Sequence, residues 1–445
     1  MVTTQLPGSV RRGYALGGVA TGSFGTVPGL LLLPYLTDRL GIAAGLAGLV
    51  VFLPKAWDVI LNPIAGRISD RSTNPAGRRR PFLLRAGLAL AVCFALLFAG
   101  PTSPTGLGAT WVVVLFLACA TAYAFFQVPY VAMPAELTDD YDERTRLMSW
   151  RVAILAMAIL VSGGLSPMVR DALGPDWGYR GVGAFVGLLI ALGALGAWWG
   201  TRGATMRDIA APTASLGDQL RIVARAKDFR TLLIAYVLQA LATAAMLAGV
   251  DYVARARMGS PGLSSILFVC FVAPALVVTP LWQRVGHRVG KRTGFLVASL
   301  LLGGGALASL LGMALGVGAL AAAVAVVGVG YAGTQMFPLA MLPDVAAVDA
   351  ARTGENRTGV YTGVWTAAET FGMALGPFAY AGVLAAGGYV SSTDGLAAQP
   401  ASALTAMGLG FSVLPALLVA LSLAFLLRYR LDAAAVEDAV AQDDR

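Results

Sequence analysis

The chain has 445 residues, 57% hydrophobic and 13% charged, with a formal net charge of +8. A soluble domain is about 45–50% apolar and about 25% charged, so this composition leaves too little polar surface for a soluble fold and points to lipid as the solvent. Three cysteines without ligand spacing and a single histidine, His287, argue against a disulfide framework, a metal centre and His-based catalysis. The basic residues sit in short segments between apolar runs, not on the single face that nucleic acid requires.

Residues 1–12 are polar and end in Arg11-Arg12, and the apolar run that follows is too long for a cleavable signal. A helical span needs about 20 apolar residues. The sequence predicts twelve, at 14–38, 43–67, 82–100, 109–133, 149–169, 181–200, 231–254, 263–283, 293–313, 317–341, 358–386 and 402–428. Arg11, Arg12, the 67–85 cluster, Arg144, Arg146, Arg151, the basic residues of 202–230 and 284–292, Arg352 and Arg357 fall on one side. Arg39, Arg170, Arg180, Arg255 and Arg257 fall on the other. Because basic loops stay inside, the expectation is a multi-pass inner (plasma) membrane protein with both termini cytoplasmic.

The fold expected is all-α, with twelve transmembrane helices in two pseudo-symmetric six-helix bundles. Residues 1–200 form the first bundle, 201–229 a cytoplasmic linker, 230–430 the second bundle and 431–445 a tail. In the linker, Ser215 is placed to cap a surface helix carrying Leu216, Leu220 and Val223, with a plain charged linker as the alternative. Three matches relate the halves. Pro129 and Pro134 recur as Pro338 and Pro343, Glu143-Arg144-Thr145 as Glu355-Asn356-Arg357-Thr358, and Gly77-Arg78-Arg79 as Gly290-Lys291-Arg292. Internal repeats of this kind mark transporter folds, with the substrate site near the bilayer midplane.

Charge inside a span is costly and therefore a functional hypothesis. Lys55 and Asp58 share one helix face of span two, and Glu369 stands in span eleven with Trp365 one turn earlier. Asn62 and Trp57 are read as extending the polar stripe of span two, and Gln127, Gln239 and Gln335 add amides in spans four, seven and ten. The bland alternative is that Lys55–Asp58 pins two helices and Glu369 snorkels. At the inner edge, Gly66, Asp70 and Arg71, then Arg78 and Arg79, form a compact basic loop. It serves either as a gate or as simple positive-inside anchoring. Glu136, Asp139, Asp140, Asp142 and Glu143 beside Arg144 and Arg146 make a second cluster of this sort.

Gly66-x-x-x-Asp70-Arg71 with Gly77-Arg78-Arg79-Arg80 resembles the loop signature of the major facilitator superfamily. The run from Lys55 through Asp58 to Asn62-Pro63 resembles the second-helix motif of the glycoside–pentoside–hexuronide:cation symporters, the melibiose carrier group. Lysophospholipid symporters carry a similar stretch, and residues 69–82 are similar to the same loop in plant sucrose carriers. Val128-Pro129-Tyr130, and Asp344 followed by Thr353 and Arg357, fit the family's other inner loops. Four positions depart from it. The second aspartate of sodium-coupled members is Asn62, the sugar-clamping acids of spans one and four fall on Gly22 and Gln127, and the lysine of span eleven falls on Glu369. Losing an anionic oxygen weakens a sodium site, so a proton is expected in preference to sodium, with a different solute or plain facilitation also open.

The resemblance implies alternating access, with the substrate between spans one, two, four, five, seven, ten and eleven. Lys55, Asp58 and Glu369 are assigned to coupling or ionic gating, and Trp57, Asn62, Gln127, Gln335 and Trp365 to substrate contact. Gly66, Asp70, Arg71, Arg78, Arg79, Glu136, Arg144 and Arg357 are assigned to a cytoplasmic gate. The partners expected are a small solute, most simply a sugar or glycoside, a coupling cation and the bilayer, around a monomer without cofactor or metal. The alternatives are an exporter or flippase-like carrier of an amphipathic compound or lysolipid, and a non-transporting membrane sensor. No nucleophile elbow or phosphate loop supports an enzyme.

Overall fold

Lipid offers the backbone no hydrogen-bond partners, so a spanning chain must satisfy its amides internally, and the described elements are accordingly helical. The computed structural model describes residues 6–72, 74, 77–138, 140–204, 226–260, 262–353, 358–393 and 397–431. The expected linker helix at Ser215, and Arg357 of the gate, lie outside these. In chain order the helices are α1 Gly8–Asp38, α2 Ala44–Asp70, α3 Arg80–Leu97, α4 Thr105–Leu137, α5 Tyr141–Gly200 and α6 Lys227–Tyr252. A π-helical turn, Val253–Arg257, follows α6. Then come α7 Leu263–Val289, α8 Lys291–Leu315, α9 Val317–Thr353, α10 Thr358–Ala386 and α11 Ala401–Leu426. Among the described residues, ten helical stretches are long and apolar enough to cross a membrane. Of the helices above, α10 is not among them, because Glu369 and the threonines at 362, 366 and 370 dilute its apolar residues.

The sequence places a loop at about 170–180, between the fifth and sixth spans. The structure has a much tighter turn. Helical backbone runs through α5 except at Gly174 (φ 73°, ψ −177°), a conformation open to glycine, and Pro175 starts the second arm with the φ a first helical turn needs. The arms double back on each other. Gly178 lies against the carbonyl of Arg170, and Gly181 against Leu173, residues that a straight helix would hold about 12 Å apart. Asp140 caps the start of α5, its Oδ1 accepting from the Glu143 amide at 2.9 Å.

The chain forms two compact units, one of Met1–Pro212 with Val390–Ala398, the other of Thr213–Tyr389 with Gln399–Arg445. In the first, α1 packs on both arms of α5, while α4 packs on α2 and α3. In the second, α6 packs on α10 and α11, while α9 packs on α7 and α8. The same partnerships therefore recur within each unit. Small residues set the spacing. The Gly13 and Gly200 backbones touch, a Cβ at Gly22 would stand 2.9 Å from the Leu155 carbonyl oxygen, and one at Gly193 would stand 2.7 Å from the Ala20 nitrogen.

Three consecutive glycines on α8 test this. A Cβ at Gly305 would meet the Val327 nitrogen at 2.8 Å, whereas at Gly304 it would meet nothing within 4 Å. Gly305→Ala should therefore destabilise the protein by about 1–3 kcal/mol. Gly304→Ala should stabilise it by up to about 1 kcal/mol through helix propensity. Thermal unfolding of the two variants in detergent reads both signs.

Candidate functional site

Residue periodicity on α2 decides which side chains share a face. Leu53, Trp57, Ile60, Ile64 and Ile68 form an exposed apolar stripe, while Pro54, Asp58, Leu61, Ala65 and Ser69 are buried. Trp57 is 41% exposed and does not belong to the polar stripe with Asp58, because adjacent helical positions are separated by about 100°. Asn62 follows Asp58 by one turn and is half-buried.

At the end of α2 the charged residues close on each other. Arg79 is buried and its guanidinium is shared three ways. Nη2 reaches Asp70 Oδ1 at 2.7 Å, Nε reaches Glu136 Oε1 at 2.8 Å, and Nη1 donates to Ser69 Oγ at 2.8 Å. Ser69 in turn donates to the Gly66 carbonyl at 2.9 Å, and Arg78 Nη2 also reaches Glu136 Oε1 at 2.8 Å. Glu136, 2% exposed, thus ties α4 to the arginines that lead into α3. The structure brings together Gly66, Asp70, Arg78, Arg79 and Glu136, but not Arg71, which is exposed, or Arg144, which donates to the Thr138 carbonyl at 3.0 Å. The second unit repeats the device at its matching point, where Lys291 Nζ reaches Asp344 Oδ2 at 2.6 Å and donates to the Ala340 carbonyl at 3.0 Å.

Farther along the first unit lies an unfinished polar cluster. Lys55 sets its ammonium 4.9 Å from the centroid of the Phe24 ring, and not in a contact ion pair with Asp58. Asp58 is 3% exposed, and its Oδ1 has no hydrogen-bond partner among the described residues. Phe24 packs on Tyr123 (4.5 Å), which shares a face of α4 with Gln127 and Tyr130. Gln127 Oε1 is also buried and unpartnered among the described residues. Tyr130 stacks on Tyr14 at 4.7 Å and donates to the Tyr14 carbonyl at 2.9 Å. Over the Tyr130 ring, at 5.2 Å, stands the Arg151 guanidinium, whose Nε is buried without a partner among the described residues. Sequence reasoning missed Arg151 by counting it with the inner-side charges. Its position inside the fifth predicted span was the available signal.

The second unit holds the other cluster. The Tyr236 hydroxyl lies 2.5 Å from Glu369 Oε1 and 3.2 Å from Gln335 Oε1. Trp365, 1% exposed, stacks on the Tyr236 ring at 4.5 Å and leaves its indole N–H without a partner among the described residues. Tyr236 covers one face of the buried Trp365 ring. No lysine or arginine pairs with Glu369 among the described residues. Tyr236 carried no sequence signal, since a phenol in a span violates nothing. Gln239, one turn on, has a different job, its Nε2 donating to Ser299 Oγ and Ser422 Oγ at 2.8 Å each, which ties α6 to α8 and α11.

Residues 13–433 match the MFS/sugar transport protein family. The chain is 27% identical to the symporter sll1374 of Synechocystis sp., over 86% of this chain and 87% of that one. It is 26% identical to the isoprimeverose transporter of Lactiplantibacillus pentosus, over 96% and 90% of the two chains. The crystal structure of the nucleoside transporter NupG superposes with a TM-score of 0.67 at 12% identity, covering 94% of this chain and 98% of that one, which bears on the fold alone. With its all-helical span pattern, its charged inner loops and these relatives, the chain belongs to the MFS/sugar transport family, among the glycoside–pentoside–hexuronide:cation symporters, and is a secondary transporter and not an enzyme.

Proposed function

We propose that this transporter moves a sugar or glycoside coupled to protons, by alternating access of twelve spans in two bundles, with both termini on the cytoplasmic side of the inner membrane and as a monomer. The observation that carries the proton assignment is a hydrogen count. The Tyr236 hydroxyl has one hydrogen and faces two acceptors, Glu369 Oε1 and Gln335 Oε1. A protonated Glu369 donates to the Tyr236 oxygen and frees that hydroxyl to donate to Gln335, which satisfies all three groups. An ionised Glu369 takes the hydroxyl for itself and leaves Gln335 to Tyr331, the second phenol beside it. The two states differ by one proton and by the direction of one O–H bond.

The first unit supplies the solute contacts in this reading. Asp58 Oδ1 and Gln127 Oε1 are acceptors and Arg151 Nε is a donor, all buried without protein partners among the described residues. A buried unpaired polar atom costs about 1–3 kcal/mol, which the hydroxyls of a polyol offset on binding. The Phe24 and Tyr123 rings give the same region an apolar wall. The name of the isoprimeverose transporter, a relative over nearly the full chain, supports a glycoside as the solute. The Arg79–Glu136–Asp70 cluster acts as the cytoplasmic gate, locked in one conformation and released in the other.

Three outcomes follow. In proteoliposomes, Glu369→Gln should abolish accumulation driven by an imposed pH gradient while solute exchange persists, and Tyr236→Phe should weaken coupling on the order of tenfold. Full pH-driven accumulation in Glu369→Gln would return Glu369 to a structural role. Asp58→Asn and Arg151→Gln should each raise the half-saturation for solute counterflow by roughly tenfold or more, with Trp57→Phe changing it little. An equal loss at Trp57 would place the solute on the exposed face of α2. Asp70→Ala should slow transport without lowering expression, whereas Glu136→Ala, which strips a buried partner from Arg79, should cost about 3–5 kcal/mol in thermal unfolding.

A further inference from the structure

Three consecutive arginines lead into α3 and do not share one fate. Arg78 and Arg79 converge on Glu136, and Arg79 also takes Asp70. Arg80 turns away. Its Nη2 donates to the Ala204 carbonyl at 3.1 Å, and its Nε is buried with no hydrogen-bond partner among the described residues. Ala204 belongs to the turn that ends α5 and carries Arg202, which lies within electrostatic reach of Arg80. Neither Arg80 nor Arg202 has a carboxylate within ion-pair distance among the described residues. With no carboxylate beside them among the described residues, these two permanently charged guanidiniums repel each other, and an anion from outside the protein removes that cost.

The surroundings say which anion. Arg202 stands over two indoles, 4.9 Å from the ring centroids of both Trp198 and Trp199. Trp199 is 67% exposed, at the end of a long apolar helix. Indoles with one wet and one apolar side settle at the level of lipid headgroups. Gly13 against Gly200 brings the start of α1, with Arg11 and Arg12, to this same end of the unit. Arg11 lies 3.9 Å from the Glu143 carboxylate, which leaves Arg12, Arg80 and Arg202 as the cations of this group without a carboxylate partner among the described residues; planar donors edged by exposed aromatic surface fit a phosphodiester attached to acyl chains.

We propose that Arg80 and Arg202 bind the phosphate of an anionic phospholipid, with Trp198 and Trp199 packed against its glycerol and upper acyl region. The site lies apart from the Asp58 and Glu369 clusters and does not depend on the identity of the transported solute.

The full chain in nanodiscs of phosphatidylcholine with added phosphatidylglycerol tests this, with retained lipid counted by native mass spectrometry. The wild type should hold phosphatidylglycerol roughly 25-fold more tightly than Arg80→Gln/Arg202→Gln, since each of the two basic charges near a membrane surface contributes about fivefold. Arg202→Gln alone should lose several-fold, and because that side chain makes no hydrogen bond among the described residues, the variant keeps the test readable if the double variant unfolds. Arg80→Lys/Arg202→Lys should retain most of the binding. Equal retention by the wild type and Arg202→Gln overturns the site. Full displacement by free glycerol phosphate overturns the lipid assignment in favour of a soluble phosphate.

Discussion

Backbone-to-backbone contact at glycine is the constraint on which both polar clusters depend. In lipid, helices gain nothing from burying apolar surface against each other, so association rests on close van der Waals packing. A Cβ at Gly18 would stand 3.1 Å from the carbonyl oxygen of Arg151, and one at Gly17 would run into the Tyr130 ring. These two contacts fix the height of α5 and the rotation of α4 against α1, and so set the Arg151 guanidinium over Tyr130. The second unit uses the same means. A Cβ at Gly372 would meet the Val237 carbonyl at 3.0 Å and one at Gly376 the Ala245 nitrogen at 2.7 Å, which presses α10 onto α6 and brings Glu369 to Tyr236. Neither pair of functional groups would meet at ordinary interhelical spacing.

Polar groups in the interior differ in how many helices their hydrogen bonds join. Gln239 gives its amide protons to two serines, and Arg79 distributes its guanidinium over Glu136, Asp70 and Ser69. These bonds hold helices in register, and removing one member strands the others, while Gln239 Oε1 and Glu136 Oε2 are themselves buried without a partner among the described residues. Asp58, Gln127 and Arg151 each keep a buried atom without a protein partner among the described residues. Lipid makes that arrangement expensive, and in the reading proposed above a solute offsets it. By the same standard, Arg80 and Arg202 stand apart from Arg78 and Arg79, although three of these four are neighbours in sequence.

The helical class, the membrane and the family were legible in composition, apolar run length and the Asp70–Arg79 loop, since each follows from residue type and spacing alone. Lys55, Asp58 and Glu369 stood out because a charge in a span violates a strong rule. Trp57 was grouped with Asp58 on chain proximity, whereas the rotation of α2 puts it on the exposed stripe. The loop expected at 170–180 proved to be a turn at Gly174, because counting apolar residues is blind to how closely glycines let two arms approach. Arg151 and Tyr236 were missed for opposite reasons. Arg151 was credited to topology on its sign, and Tyr236 has a side chain that lipid tolerates, so only its distance to Glu369 reveals it.

The departure at Glu369 bears most directly on mechanism. The position where the family's lysine falls carries an acid here, and its nearest partners are a phenol and an amide. Those oxygens resemble a set of ligands for a hard cation, but their spacing argues otherwise. A metal ion held by carboxylate and hydroxyl oxygens keeps each about 2.3 Å or more from itself, which spreads the oxygens well beyond contact with each other. Glu369 Oε1 and the Tyr236 oxygen stand 2.5 Å apart, the short separation of an O–H···O bond involving a carboxylate. A hydrogen bond spans that distance. In the proton-coupled reading proposed above, the proton is accommodated by reversing one hydroxyl, whereas sodium at this site would have to part the pair.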